Sequence, residues 1–258
     1  MNVTNDNPAG RLYLLLEKAK SLRGNGFAMW EQVFAIDSQL AEEKRQFEVV
    51  VRLFQTQELV DDVERCLLAS GDVDPEPYIA ALPEIRKALN FKSLDTGNYE
   101  VILSNIHDHG LRLLGLASEI LSRRHSETQI TEDELSEILS QVRALFEKVK
   151  ATSFESDPDV SRLQTFILDS LTYIDDAIQQ FRIRGVKRLE DALVRIAGEM
   201  SYRYGNIPEQ ASKHETTRNW FDEWKGVIGR LDSLIRFADT GIRAIDTSSR
   251  ILALLTPG

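Results

Sequence analysis

The residues best suited to chemistry in this sequence are four histidines, one cysteine and a few adjacent carboxylates. His107 and His109 flank Asp108 in Ile106-His107-Asp108-His109-Gly110. A metal would need both imidazoles to converge on it. On a helix, residues two apart point about 160° away from each other, so one ion cannot take both rings unless the helix breaks. Gly110 offers a place for a break, but the apolar stripe runs through it. His107 is therefore expected at the edge of the stripe, half-buried, and His109 in solvent.

The known histidine motifs fit no better. Metal phosphohydrolases of the His-Asp kind draw a further histidine from upstream, and none precedes His107. Helical ribonucleases of the HEPN type set an arginine four to six residues ahead of a histidine, and none of the four histidines has one. The pairs Asp61-Asp62 and Asp175-Asp176 splay apart on a helix and read as solvated faces. Cys66, between Arg65 and Leu67, reads as core filler. There is no Gly-x-x-x-x-Gly-Lys phosphate loop and no Gly-x-Ser-x-Gly elbow. The sequence points to no catalytic residue, no metal ligand and no cofactor.

Two clusters suggest binding instead. Phe181-Arg182-Ile183-Arg184-Gly185-Val186-Lys187-Arg188 holds four cations and no anion, at a junction between helices. Arg182, Arg184, Lys187 and Arg188 are candidates for an acidic partner or a phosphate, beside the free amides of the next helix. Cations also belong at a helix C-terminus without any partner. The second cluster is apolar. Trp220 and Trp224 share a helix face, and Ile242, Ile245, Leu252 and Leu255 extend it towards the chain end. As an unbroken helix from about Thr216 to Leu255, this face would overhang its neighbours and invite a second copy. A turn at Asp239-Thr240-Gly241 would fold it back, and Trp220 and Trp224 as stripe positions read more readily as core than as a binding face.

The elements that must position these residues are helical almost throughout. The 258 residues are 42% apolar and 28% charged, with 14 Gly and 7 Pro, enough to bury a sizeable core. The formal charge of −10 argues against wholesale binding of nucleic acid or anionic membrane. One thiol cannot form an internal disulfide. The opening residues lack a basic, apolar leader and no apolar run approaches roughly 18 residues, so a cytoplasmic location without a membrane span is expected.

Asn7-Pro8 reads as an N-cap with proline in the first turn, and Gly24 and Gly26 as a turn. Phe27, Trp30, Val33 and Phe34 face inward on a short helix. Asp37-Ser38 opens a helix with Leu40, Phe47, Val50, Val51 and Phe54 on one side, a stripe that falters at Thr56-Gln57-Glu58. Gly71 to Pro75 is a break. From about Asn98 to Arg124 one long helix is expected, through Tyr99, Leu103, Ile106, Leu113, Ala117 and Ile120. Thr131 and Glu134 match a capping box. Leu145, Ile167, Ile174, Leu193 and Leu231 sit centrally in later stripes, and Gly185 ends one helix.

The fold expected is all-α: residues 1–95 as short helices packed on a long-helix bundle over residues 96–258. The function expected is a non-enzymatic interaction subunit, an adaptor in a cytosolic, bacterial-type system, with another protein or a second copy as partner. The alternative is a helical enzyme or toxin, such as a nuclease, whose polar site is dispersed in sequence. A third reading is a membrane-active protein using its C-terminal apolar helix.

Overall fold

In the computed structural model the chain is all-α, and the described residues contain no strand. They are residues 3–22, 25–71, 73–91, 94, 99–125, 130–152, 158–203 and 214–238. Two compact units result: Met1–Gln129 with Arg182–Gly185, and Ile130–Phe181 with Val186–Gly258.

The first unit opens with α1 (Pro8–Ser21), where the Asn7 side chain caps the Gly10 amide and Pro8 takes the first helical position. Then come α2 (Gly26–Val33), α3 (Glu42–Ala69), α4 (Glu76–Ile79), α5 (Leu82–Ala88), α6 (Tyr99–Ser104) and α7 (Asp108–His125). Helix α1 packs on α7 and α3, burying Leu12, Leu16 and Ala19 against Leu114 and Ala117. Trp30 on α2 is fully buried and stacks on Phe34 at 5.3 Å.

The start of α1 is tied to α7 by a sealed polar network. The Asn7 amide donates to the Ser118 carbonyl at 3.2 Å, the Ser118 hydroxyl at 3.0 Å and the Ser122 hydroxyl at 2.8 Å. Asp6 accepts from Ser122 at 2.9 Å, and Arg11 donates to the Ile183 carbonyl at 3.2 Å. Asp6, Asn7 and Arg11 are buried, so their partners satisfy groups that would otherwise be costly.

The second unit contains α8 (Glu132–Lys150), α9 (Pro158–Arg184), α10 (Val186–Arg203) and α11 (Glu215–Ala238), with the last residues of α9 grouped in the first unit. The capping box opens α8 as expected: the Glu134 amide donates to the Thr131 hydroxyl at 3.2 Å, and the Thr131 amide donates to the Glu134 carboxylate at 2.8 Å. The core holds Leu145, Ile167, Ile174, Leu193 and Leu231, all buried. Trp224 lies edge-on to Phe166 at 5.3 Å and stacks on Phe221 at 5.4 Å. Gly185 turns the chain between α9 and α10 at φ +64, a conformation that costs glycine little.

Several expectations need correction. The division falls after Gln129, not near residue 95, because α7 packs on α1. The first unit is not all short helices, since α3 runs 28 residues without a break. The helix expected from Asn98 to Arg124 is two, with Asn105 to His107 between them. Of the stripe expected there, Ile106 and Ala117 are buried, whereas Leu113 and Ile120 are only half-buried and Leu111, Leu114 and Leu121 are buried in their stead. The helix after Asp37-Ser38 begins at Glu42, because Asp37 accepts the Gln39 amide in a turn of its own.

Candidate functional site

The feature of the first unit that the core does not absorb is the outer face of α3. Its buried stripe is Val49, Leu53, Thr56, Val60, Val63 and Leu67, at alternating spacings of four and three. Thr56 holds its place by donating its hydroxyl to the Arg52 carbonyl at 2.7 Å, which satisfies that hydroxyl within the helix. On the opposite side of the helix stand Phe47, 67% exposed, and Phe54, 51% exposed, with half-buried Val51 between them.

A third ring joins them from outside the helix. Gln57 donates to the Leu89 carbonyl at 3.0 Å, which draws the segment after α5 alongside α3. Phe91, 43% exposed, then meets Phe54 with ring centroids 5.7 Å apart. Taking a phenylalanine as roughly 200 Å², the three rings expose about 300 Å² of aromatic surface. Patches of that size on a single chain are often functional. Glu43 lies one turn before Phe47 and Glu58 one turn after Phe54, so the row ends in a carboxylate on each side.

Of the sequence-derived candidates, Arg184 reaches this row through its ion pair with Glu58. Trp220 and Trp224 are fully buried in the core of the second unit and form no exposed face. Ile242, Ile245, Leu252 and Leu255 lie outside the described residues, as does the turn at Asp239-Thr240-Gly241. Of the cations, Arg184 pairs with Glu58, Arg188 with Asp176, and Lys187 with Asp191 at 3.5 Å. Arg182 also has an interaction partner.

His107 is exposed rather than half-buried, because it sits in the interruption before α7; His109 is exposed on the helix itself. Asp108 between them is held below the usual carboxylate range by the hydrogen-bonded Lys20 ammonium, with smaller contributions from Arg112 and His107. Among the described residues no group of three or more His, Cys, Asp or Glu side chains is placed to hold a metal.

In the second unit a trough of about 470 Å³ lies between α8 and α11. Ala144, Leu145, Gly226 and Val227 line it, and it exists because Ala144 and Gly226 carry little or no side chain. Its cations are already neutralised across the two helices, Lys148 by Glu223 and Arg230 by Glu137 at 2.8 Å.

The chain matches no protein family, no curated protein and no solved structure. No helix of the described residues is long and apolar enough to cross a membrane.

The α3 face escapes a reading of the sequence because Phe47, Val51 and Phe54 form a valid helical stripe by themselves. The signal that separates them from the core was Thr56. Counting it as a stripe position gives a continuous pattern from Val49 to Leu67, and that pattern leaves the phenylalanines outside.

Proposed function

We propose that the protein is a non-enzymatic helical interaction subunit of the adaptor kind, engaging another polypeptide on the outer face of α3. The observation behind this reading is the aromatic row Phe47, Phe54 and Phe91, exposed although the same helix has a complete core stripe on its other side. The buried stripe of α3 is continuous without these rings. Large aromatic side chains at the centre of a surface patch are the usual carriers of binding energy in protein interfaces.

The test compares the proteins that co-purify with the wild-type chain, with Phe47→Ser/Phe54→Ser and with Val194→Ser, each identified by mass spectrometry. Val194 is exposed on the second unit and serves as the control. The expected result is a partner retained by the control and lost from the double variant, whose circular dichroism and melting temperature stay near wild type. An identical partner set from all three proteins would remove α3 as the docking face.

A further inference from the structure

We infer that the segment docking on α3 is a short amphipathic helix of another protein, with a Lys or Arg one turn beyond each end of its apolar row. This rests on reading the α3 face as a docking surface and specifies what that surface takes.

Geometry sets the shape of the occupant. Glu43, Phe47, Val51, Phe54 and Glu58 follow one another at spacings of four, four, three and four, a single line along one side of α3. Phe47 to Phe54 spans about 10 Å at 1.5 Å per residue. A second helix reads such a line with anchors at i, i+4 and i+7. An extended strand would need main-chain partners, and those of α3 are spent within the helix.

Area and charge decide between a foreign helix and a second copy. About 300 Å² of exposed ring is less than half of the roughly 800 Å² that each partner gives to a standard interface. A two-fold interface also sets each patch against itself. In the antiparallel register that stacks Phe47 on Phe54, Glu43 falls opposite Glu58. Shifting the register to pair Glu43 with Arg65 places Phe47 on Asp61 instead. In a parallel pairing every carboxylate meets its own equivalent. Each of these three arrangements therefore either opposes like charges or covers an aspartate with a ring, and both are unfavourable.

A foreign helix has no such constraint. Of the seven carboxylates of α3, Glu48, Glu58, Asp61, Asp62 and Glu64 are ion-paired, and the two that flank the rings on this face are Glu43 and Glu58. Glu43 has no ion pair among the described residues, and Glu58 is held by Arg184 in a solvent-exposed pair that a partner's cation can join.

The experiment titrates the full chain into two fluorescent synthetic helices. One carries leucines at i, i+4 and i+7 with a lysine one turn beyond each end; its twin has glutamate in place of lysine. The lysine peptide is expected to bind with a dissociation constant of about 10–100 µM, and its twin about tenfold more weakly, a gap that narrows with added salt. Glu43→Lys should shift the preference towards the glutamate twin, and Phe47→Ser/Phe54→Ser should abolish both interactions. Equal binding of the two peptides, lost in the double phenylalanine variant, would overturn the cationic partner and leave the docking face standing. Binding that survives the double variant would overturn the docking face itself. No binding by either peptide, in a protein whose co-purifying partner still depends on Phe47 and Phe54, would overturn the amphipathic-helix occupant alone. A concentration-dependent dimer in sedimentation, lost in the double variant, would assign the face to a second copy and overturn the inference.

Discussion

Gly10 is where the first turn of α1 passes closest to its surroundings. A methyl group there would lie 1.8 Å from the Thr4 carbonyl oxygen and 2.8 Å from the Ser118 hydroxyl. The first contact is with backbone, so the network around Asp6, Asn7 and Ser118 must open to admit it. Gly10→Ala should cost about 3 kcal/mol, the upper end for overpacking, and chemical denaturation would show it as a lower midpoint. At α8 the decisive atom is a charge. The Thr131 amide, then the Thr131 hydroxyl, hold the Glu134 carboxyl below the usual carboxylate range. A carboxyl depressed in the folded state stabilises above its unfolded value and loses that contribution as pH falls through the folded one. Glu134→Gln should therefore flatten the acid side of the melting-temperature profile below the ordinary glutamate range. A profile parallel to wild type would show that the box contributes nothing through charge.

Helix α3 shows how far its sequence could be read. Its existence was legible from the apolar content, but its phase was not, because it carries apolar residues on two opposite sides. Phe47, Val50, Val51 and Phe54 make one plausible stripe; Val49, Leu53, Val60 and Val63 make the other, interrupted by a threonine. Only a hydroxyl bonded to the preceding turn lets Thr56 sit in the core, and no local pattern announces that bond. Two substitutions separate the phases. Leu53→Ala should cost about 2–5 kcal/mol, since Leu53 is buried with no water to replace its contacts. Phe54→Ala, one residue on, should cost less than about 1 kcal/mol, as exposed positions do. The reverse order in urea melts would restore the original phase and remove the exposed aromatic row. By contrast, the Asn7 cap, the Thr131 box and the Gly185 turn were legible, because each depends on residues within a few positions of one another. The candidate site depends on Phe91 meeting Phe54 across 37 positions, through a glutamine bonded to a backbone carbonyl. Spacing within one helix cannot show that.

At the scale of the molecule, two hydrophobic cores stand where a reading of the helix lengths placed one bundle with short helices on it. The first gathers Leu12, Leu16, Trp30, Leu53 and Leu114; the second gathers Ile167, Ile174, Leu193, Trp224 and Leu231. Helix length misleads here because α7 looks like bundle material yet buries its apolar side on α1. A unit with its own core opens on its own free-energy scale, which amide hydrogen exchange resolves segment by segment. Ile174→Ala removes buried methylenes from the second core only. It is expected to speed exchange in peptides from α8 and α11 and leave those from α1, α3 and α7 at the wild-type rate. Leu16→Ala should do the opposite. If either substitution accelerates every helix by the same factor, the two cores open as a single cooperative unit. With independent cores, serine at Phe47 and Phe54 leaves α8 and α11 at their wild-type exchange rates, and any lost partner is then lost from the face of α3 itself.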